Sequence, residues 1–530
     1  MDRGVEDMSG MPDTGARSDP AGSGTPPGGP AGEGEARFMV RLAAEIASKS
    51  NRTRRRFHKQ LVVNLKDALT SSGTQATVRD RWSRLFVTVP GAEVMSAATR
   101  VFGISSFSEV DAVVPADLET IVRVGHESYR EAVTGRRYAV AARRTGRQSF
   151  SSRDVCVQLG AVLNPYGTVD LTTPEVTVSV EVRDHRAYLF SQRTEGPGGL
   201  PLGVQGRAVC LISGGFDSAV AAWLLLKRGV ALDYVFCNLA GPAFERSVVQ
   251  VTRVLADRWS YGDRPRMHIV DFGDAVRDLQ DQVTPRYWQV VLKRLMYRAA
   301  EQVGAEVGAD ALVTGESLGQ VSSQTLRNLR AIEAAATLPV LRPLVGFDKE
   351  EIIRIAKRIG TAALSARVRE YCAILEGKPV TAAKVIAVDR EEAPLDLELV
   401  DRAVAQRRVL DVRGVDDADL NRDYLWTDEV PKDARLIDCR PAHQDDGWRH
   451  PGSRRVLPPD FPKLAGSLSK SNLYVLFCDN GVQSGQLANI LQAVGYEAYA
   501  LRGGTRLLRR GFKSVSTGLG IDSGKPRTSM

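Results

Sequence analysis

The sequence has 530 residues, of which 43% are hydrophobic and 25% are charged. This length predicts three or four domains, and the composition is that of an ordinary globular protein. The chain contains no run of 18 or more apolar residues, and its amino terminus lacks the apolar core of a signal peptide. We therefore expect a cytoplasmic protein without a membrane partner.

The positions of the cysteines and of the charges further limit the kind of protein and the kind of partner that the sequence suits. The six cysteines are scattered without a CxxC pair, which argues against a disulfide scaffold and against a protein-held metal site, and suits a reducing cytosol. Residues 1–35 carry seven acidic and two basic side chains, whereas residues 36–200 carry 24 basic and 16 acidic ones. The basic front half favours a polyanionic partner, with nucleic acid as the leading candidate.

The amino-terminal third begins with a leader, residues 1–36, whose Gly, Pro, Ser and Asp content predicts disorder. From Arg37 the pattern predicts a strand, a turn, a helix from about Asn51, a returning strand Arg84–Val89 and a second helix over residues 92–101. One face of the first helix would carry Phe57, Leu61, Leu65 and Leu69. The arginines crowded at its start oppose the helix dipole, which suits a phosphate contact or simply a solvated helix end.

The next segment is predicted to be a second α+β unit, extending to about residue 200. Its basic centre is RRYAVAARRTGRQSF (136–150), and EVTVSVEVRDHRAYLF (175–190) alternates like two half-buried strands. Arginines beside a strand edge suit a structured RNA that is recognised by its shape and its phosphates.

The most informative stretch is AVCLISGGFDSAVAAWLLLKRG (208–229), which predicts a buried strand, a glycine turn over Ser213–Ser218 and a helix ending near Gly229. Glycines and the free N–H groups of a helix start together form a site for an anion. The turn matches neither GxxxxGK[ST] nor GxGxxG. The sequence SGGFDS instead resembles the pyrophosphate loop of ATP pyrophosphatases, with a purely structural turn as the alternative.

Further strands are predicted over residues 231–240, 267–272 and 311–317, with helices between them, as in a doubly wound α/β domain. In such a sheet the ligand lies beyond the carboxyl ends of the strands, where SGGFDS and TGES (314–317) both fall. Two lysines could supply positive charge at this edge: Lys293 lies on a predicted helix, and Lys349 lies just ahead of another. The alternative for Lys293 is an ordinary lysine on the solvated face of its helix, without a role in binding.

Two cysteines lie in settings that suggest chemistry. Cys372 has polar neighbours in REYCAILEGKPV (369–380), although a lone cysteine is more often a small buried apolar residue. A rhodanese domain is what the carboxyl-terminal segments resemble when they are taken together, namely RLIDCRPAHQ (435–444), YVLFCDNGVQSGQLANIL (474–491) and LRGG (501–504). There Cys478 would stand at the mouth of a loop of backbone N–H groups beside a helix start, which favours a nucleophilic thiolate. Burial of Cys478 in apolar packing would count against this role, and Cys439 is predicted to be a packing residue.

The combination of motifs resembles the tRNA 4-thiouridine synthetase family with a carboxyl-terminal rhodanese domain. This resemblance depends on four features in chain order: EIASKS with Arg52 and Phe57, VFGISSFS (101–108), a THUMP-like basic region and SGGFDS. It implies a multidomain α/β and α+β chain. The predicted divisions are a disordered leader (1–36), a ferredoxin-like domain (37–95), a THUMP RNA-binding domain (96–200), a PP-loop ATP pyrophosphatase domain (201–395), a rhodanese domain (400–514) and a flexible tail (515–530).

The resemblance also implies an activity and a set of residues. The enzyme would adenylate uridine 8 of tRNA with ATP and Mg²⁺ and then replace the activated oxygen with sulfur from a persulfide on Cys478, loaded by a cysteine desulfurase. Asp217 and Lys349 would be needed for adenylation, and Cys372 would form a disulfide with Cys478 that a reductant later opens. The implied or loop-derived ATP-binding residues are Leu211, Ile212, Ser213, Gly214, Gly215, Asp217, Ser218, Lys293, Gly315 and Gln324.

Three other functions stay open at this point. Some members of the family also supply sulfur for the thiazole of thiamine. A tRNA 2-thiouridine synthetase is an alternative, against which the basic front half argues. A non-catalytic tRNA-binding protein is another, against which the intact lysine, aspartate and cysteine positions argue.

Overall fold

A computed structural model describes residues 35–81, 84–239, 242–366, 368, 378–415, 425–479 and 482–509. They form two compact units, one comprising Asp111–Leu189 and the other Ala36–Val110 together with the chain from Phe190 on. The predicted leader up to residue 34 and the predicted tail 515–530 lie outside the described residues. Within the described part, no helix is long and apolar enough to cross a membrane.

The amino-terminal part of the larger unit is a five-stranded antiparallel sheet. Across the sheet its strands are Thr194–Glu195, Ile104–Glu109, Ala36–Leu42, Arg84–Val89 and Thr77–Arg81. Ile104–Glu109 and Thr194–Glu195 come from residues that the sequence analysis placed in the next domain. Apolar alternation predicts a strand but does not say which sheet it joins, so this pairing could not be predicted from local pattern.

Helix Asn51–Ser71 covers this sheet, as its spacing predicts, and its buried face includes Phe57, Leu61, Leu65 and Leu69. Helix Ala44–Ala47 precedes it, and the segment predicted as a second helix is the 3-10 helix Ala92–Arg100.

The smaller unit, Asp111–Leu189, has its own sheet and core. The strands in order across the sheet are Ala112–Pro115, Arg186–Phe190, Val176–Arg183, Arg137–Thr145 and Thr168–Val169. Helices Leu118–Val133 and Ser152–Leu163 pack on the sheet through buried residues such as Ile121 and Leu159. The arginines at and beyond the end of strand Arg137–Thr145 are exposed, among them Arg143, Arg144 and Arg147.

The central part of the larger unit is a six-stranded sheet, here called the nucleotide sheet. Its strands in order are Val340–Leu341, Leu312–Val313, Arg207–Leu211, Ala231–Asn238, Arg266–Asp271 and Arg408–Asp411, all parallel except the last. The predicted strand over residues 311–317 is thus only two residues long, and the TGES segment belongs to the turn that follows it.

Helices cover both faces of the nucleotide sheet, which makes it doubly wound as predicted. On one face lie Phe216–Lys227, Pro242–Trp259, Lys349–Ile359 and Ala362–Ser365. On the other lie Gly273–Gln282, Trp288–Val307, Leu326–Glu333, Val385–Glu392 and Glu398–Ala405. Because the central strands Arg207–Leu211 and Ala231–Asn238 are buried on both sides, their sequences are largely continuous apolar runs rather than alternating ones.

The carboxyl-terminal part holds a five-stranded parallel sheet. Its strands in order are Trp426–Thr427, Glu497–Leu501, Leu473–Phe477, Arg435–Asp438 and Arg454–Arg455. Helices Phe461–Leu464 and Val482–Ala493 accompany it. Arg246, on a helix of the nucleotide sheet, donates a hydrogen bond to the hydroxyl of Tyr499 and lies over its ring, so the two sheets are in contact.

An aromatic cluster joins the amino-terminal sheet to the nucleotide sheet. Phe102 is 2% exposed and stacks on Trp259, with ring centroids 5.6 Å apart, while its edge meets Trp223 at 5.8 Å. An exposed ion pair, Arg228 to Glu45 at 2.8 Å, joins the same two parts nearby. Since buried aromatic area stabilises far more than an exposed ion pair, the aromatic cluster should dominate this junction.

We expect Phe102→Ala to lower the free energy of unfolding by about 3–5 kcal/mol, because it leaves a cavity between two indole rings. Arg228→Ala is the control and should cost less than about 1 kcal/mol. Thermal unfolding followed by tryptophan fluorescence measures both. A larger loss in the Arg228 variant would contradict the assignment.

Candidate active sites

The glycine turn is closed by its own serines. After strand Arg207–Leu211 the chain turns at Gly214, whose φ of +76° is in the left-handed region that favours glycine. The hydroxyl of Ser218 accepts a hydrogen bond from the N–H of Ser213 at 3.2 Å and donates to the carbonyl of Gly215 at 3.3 Å. Gly215 is the N-cap of the helix and supplies no side chain to the cap, so the helix start can receive an anion.

Gly315 brings the second turn against this helix start. A Cβ placed on Gly315 would lie 2.6 Å from the carbonyl carbon of Asp217 and 2.6 Å from the amide nitrogen of Ser218. These are backbone atoms of the first helical turn, which cannot move aside as a flexible side chain could. Only glycine therefore allows the two turns to meet at the carboxyl ends of their neighbouring strands.

Asp217 gathers polar groups from two other parts of the chain. The Nζ of Lys349 lies 2.9 Å and 3.1 Å from its two carboxylate oxygens, and the Nε2 of Gln320 donates to Oδ2 at 2.7 Å. Lys349 is the first residue of helix Lys349–Ile359, whose N-cap Asp348 forms a capping box with Glu351. The capped helix start thus holds the lysine beside the glycine turn.

A buried carboxylate, Glu316, organises the opposite wall. It accepts hydrogen bonds from Lys293 Nζ at 2.8 Å, Arg342 Nε at 2.9 Å and the Tyr297 hydroxyl at 2.7 Å. Burial would raise the pKa of Glu316, but the charge and hydrogen bond of Lys293, with those of Tyr297 and Arg342, outweigh it and lower the pKa to about 2. Glu316 is therefore ionised, and it fixes Lys293 in place.

These elements enclose a cavity of about 270 Å³. Its apolar wall includes Phe236 and Phe244, whose rings lie 5.4 Å apart, together with Leu292 and Met296. The predicted nucleotide-binding residues that line it are Leu211, Ile212, Ser213, Gly215, Asp217, Ser218, Lys293, Gly315 and Gln324. Gly214 does not line the cavity, because it is buried against Val248, and Lys349 reaches it only through Asp217.

Glu316, Gln320 and Arg342 were not predicted as site residues. Glu316 lies in the TGES segment, but the partners of all three residues are distant in the chain, so spacing alone could not assign them. The available signal for Glu316 was a carboxylate directly after an apolar strand, which must be paired if it is buried.

Cys478 follows strand Leu473–Phe477 and is fully buried. The N–H of Ser484 donates to its sulfur at 3.4 Å, and the Ser484 hydroxyl lies 3.3 Å from the sulfur. Apolar residues such as Leu487 and Ala488 share its surroundings. The predicted helix-start donor is thus present, but the predicted open loop mouth is wrong. Cys478 is buried in apolar packing, which is the arrangement that the sequence analysis named as counting against its role. Cys372 lies outside the described residues.

Four family models match the chain in succession. They are described as ThiI ferredoxin-like domain (residues 37–108), THUMP domain (115–192), Thiamine biosynthesis protein (ThiI) (203–397) and Rhodanese-like domain (421–509). Together with the four sheets, they confirm the predicted fold class.

Curated relatives match over most of the chain. A tRNA sulfurtransferase of Desulfurococcus amylolyticus is 37% identical over 482 residues, which cover 90% of this chain and 99% of that protein. One from Yersinia pestis (strain Pestoides F) is 37% identical over 477 residues and covers 87% and 98%. Among solved structures, a 4-thiouridine synthetase in a complex with RNA and bound ATP has a TM-score of 0.62 and 32% identity, covering 71% of this chain and 99% of that one.

The close approach of Gly315 can be tested with Gly315→Ala. The added methyl group should push the TGES turn off the helix start and weaken ATP binding at least tenfold, or about 1.4 kcal/mol. Gly346→Ala is the matched control, because a Cβ there meets no atom within 4 Å. Calorimetric titration with ATP measures both variants, and equal affinities would contradict the proposed contact.

The role of Glu316 can be tested with Glu316→Gln, which leaves Lys293 and Arg342 without their buried counter-charge and should cost about 3–5 kcal/mol of stability. Because the folded-state pKa is lowered, the contribution is present in full above the ordinary value of 4.5 and is lost as the pH falls toward about 2. Denaturant unfolding between pH 7 and pH 2 should show the difference from the parent shrinking in that window.

Glu333→Gln is the control for this prediction, since Glu333 also pairs with Arg342, at 2.7 Å, but is half exposed. It should cost less than about 1 kcal/mol. A difference between parent and Glu316→Gln that does not change with pH would argue against the ionised carboxylate.

Proposed function

The chain belongs to the tRNA sulfurtransferase family, and we propose that it forms 4-thiouridine at position 8 of tRNA in an ATP-dependent reaction. The observation that carries the proposal is the meeting of Asp217, Lys349 and Gly315 at the glycine turn. This arrangement places an anion site, a cation and a carboxylate at one edge of a doubly wound sheet. The likeness to the ATP-bound 4-thiouridine synthetase complex supports the same reaction.

ATP fits the cavity in both of its parts. The apolar wall around Phe236 and Met296 suits a purine, and the glycine turn suits the phosphates. Gln324 is 8% exposed, and its Oε1 has no hydrogen-bond partner among the described residues. A buried acceptor of this kind suits the exocyclic amino group of adenine. Mg²⁺ bound with the nucleotide would neutralise charge on the phosphates.

The chemical step is adenylation of the base. The uridine O4 attacks the α-phosphate, and pyrophosphate leaves toward the N–H groups of the helix start. Lys349 lies beside Asp217 at this helix start and can stabilise the charge that develops on the phosphate oxygens. The resulting AMP is a far better leaving group than the original oxygen.

Sulfur then comes from Cys478. A cysteine desulfurase loads it as a persulfide, whose terminal sulfur attacks C4 while AMP leaves, so that the base is joined to Cys478 through an S–S bond. Cys372 then attacks the Cys478 sulfur of this bond, which releases 4-thiouridine and leaves a Cys372–Cys478 disulfide that a reductant opens. Since Cys478 is buried at rest, loading and transfer both require a movement that exposes its sulfur. The N–H of Ser484, which donates to the Cys478 sulfur, would stabilise the thiolate that is regenerated when the reductant opens the disulfide.

The tRNA would bind through residues 37–200. Because strand Ile104–Glu109 belongs to the first sheet, we place the boundary between the ferredoxin-like and THUMP parts near residue 110 and not at 95. Exposed arginines such as Arg143, Arg144 and Arg147 would provide contacts to phosphates. We assign the nucleotide sheet, which includes strand Arg408–Asp411, to ATP, and the carboxyl-terminal sheet from Trp426 on to the sulfur carrier, so the predicted boundary at residue 400 moves beyond that strand. A cytoplasmic location follows from the tRNA substrate. The family description as a thiamine biosynthesis protein favours sulfur supply to a thiazole as a second role.

Two variants separate the half-reactions. Cys478→Ser should still exchange pyrophosphate into ATP in the presence of tRNA but should form no 4-thiouridine. Lys349→Ala should accept radiolabelled sulfur from cysteine and a desulfurase but should lose most of its pyrophosphate exchange. Chromatography of nucleosides from the treated tRNA measures the product.

The product also decides between the alternatives. Formation of 2-thiouridine would replace the proposed reaction with the other synthetase activity, and tRNA binding without any thiolated base would favour the non-catalytic protein. Normal thiolation by Cys478→Ser would remove the sulfur-carrier role from this cysteine.

A further inference from the structure

Cys439 lies directly beside Cys478 in the carboxyl-terminal sheet. Strands Arg435–Asp438 and Leu473–Phe477 are parallel, with Asp438 paired to Phe477. The pairing continues one residue further, since the N–H of Cys439 donates to the carbonyl of Phe477 at 2.9 Å. This is the hydrogen bond that places Cys439 and Cys478 next to each other in register.

The two side chains point to the same face of the sheet. Ile437, Cys439, Leu476 and Cys478 belong to one buried cluster, whereas their chain neighbours such as Phe477 pack on the opposite face. Adjacent strands lie about 4.8 Å apart. A disulfide needs Cα atoms about 4.4–6.8 Å apart, with both side chains on one side. The register of the two strands and the shared face of the side chains therefore both satisfy this requirement, and neither cysteine is in a disulfide among the described residues.

The environment of Cys439 keeps it out of the ordinary reaction. Burial raises the pKa of its thiol well above the usual value, and the electrostatic interactions with Cys478 and Asp438 raise it further. A protonated, fully buried thiol is a weak nucleophile. It should therefore react with a sulfenic sulfur, which is strongly electrophilic, and leave a persulfide on its neighbour intact during turnover. Its only described cysteine neighbour in the cluster is Cys478.

We propose that Cys439 and Cys478 form a built-in disulfide site that captures Cys478 when a peroxide oxidises it. The Cys478 sulfur attacks one peroxide oxygen, so that an S–O bond forms and the O–O bond breaks, and the thiol proton leaves with the second oxygen as water, which gives a sulfenic acid. The Cys439 sulfur then attacks the sulfenic sulfur, an S–S bond forms and the S–O bond breaks, and the thiol proton leaves with the hydroxide as water. Two equivalents of a thiol reductant reopen the bond.

The disulfide would be a reversible resting form of the sulfur site. Without a partner thiol, further peroxide converts the sulfenic acid to sulfinic and sulfonic acids, which ordinary thiols do not reduce. Cys439 thus protects the sulfur atom on which the proposed function depends. The disulfide itself depends only on the register of the two strands, so it can be tested without tRNA or ATP.

The test uses the whole chain with Cys372→Ala, because the proposed function makes Cys372 a second disulfide partner of Cys478, and this variant is the parent for the substitutions below. It is treated with hydrogen peroxide, and its cysteines are then mapped by alkylation and peptide mass spectrometry. We expect a linked Cys439–Cys478 peptide pair, loss of alkylation at both residues, and recovery of both after dithiothreitol. Cys439→Ala should give no such pair and should accumulate irreversibly oxidised Cys478. Cys210→Ala is the matched control, because Cys210 is equally buried, with a pKa raised to about 12, but lies in the nucleotide sheet.

Cys439→Val fills the same space with an apolar side chain and guards against misfolding of the alanine variant. Both variants should load labelled sulfur like the parent under reducing conditions. Appearance of Cys478 in a disulfide with another cysteine, or irreversible oxidation of the parent to the same extent as Cys439→Ala, would overturn the proposal. Failure of the parent to load sulfur would instead count against the proposed function. The peptide mapping would still decide whether Cys439 and Cys478 form a disulfide.

Discussion

The site depends on one close approach, that of Gly315 to the backbone of Asp217 and Ser218. Strands Arg207–Leu211 and Leu312–Val313 are neighbours in the nucleotide sheet, so the turns that follow them meet at the same edge. A side chain at the second turn would hold the two apart. The contact sets the distance between the anion site on one turn and the groups that the other carries.

The second turn and the residues after it carry two polar side chains of the pocket, the carboxylate of Glu316 and the amide of Gln320. Glu316 points into the protein, where Lys293, Tyr297 and Arg342 satisfy its charge. Gln320 points the other way and holds Asp217. A short segment therefore fixes both walls of the pocket, and a shift of this segment would misplace a lysine and an aspartate at once.

The local pattern was sufficient for most of the fold because each element agrees with its sequence. Helix Asn51–Ser71 and strand Arg84–Val89 follow the predicted bounds closely, and the glycine turn lies where the apolar run ends. The local sequence pattern could not predict which strand pairs with which, or which side chains form ion pairs. Ile104–Glu109 joins the first sheet by a long-range pairing, and Glu316 finds Arg342 across the pocket, so neither is encoded in a single stretch.

The nucleotide pocket and the surroundings of Cys478 place opposite demands on the solvent exposure of their reactive groups. A nucleotide pocket works best when its charged groups are held in place and shielded, which the buried Glu316 network achieves. In the proposed function Cys478 would have to meet a donor protein and then a base, yet it is buried beside Ser484 and Cys439. Sulfur delivery by this residue would therefore require a movement that exposes its sulfur. Arg246, which contacts Tyr499, lies on the helix that also carries Phe244 of the pocket wall, so one helix touches both the pocket and the carboxyl-terminal sheet.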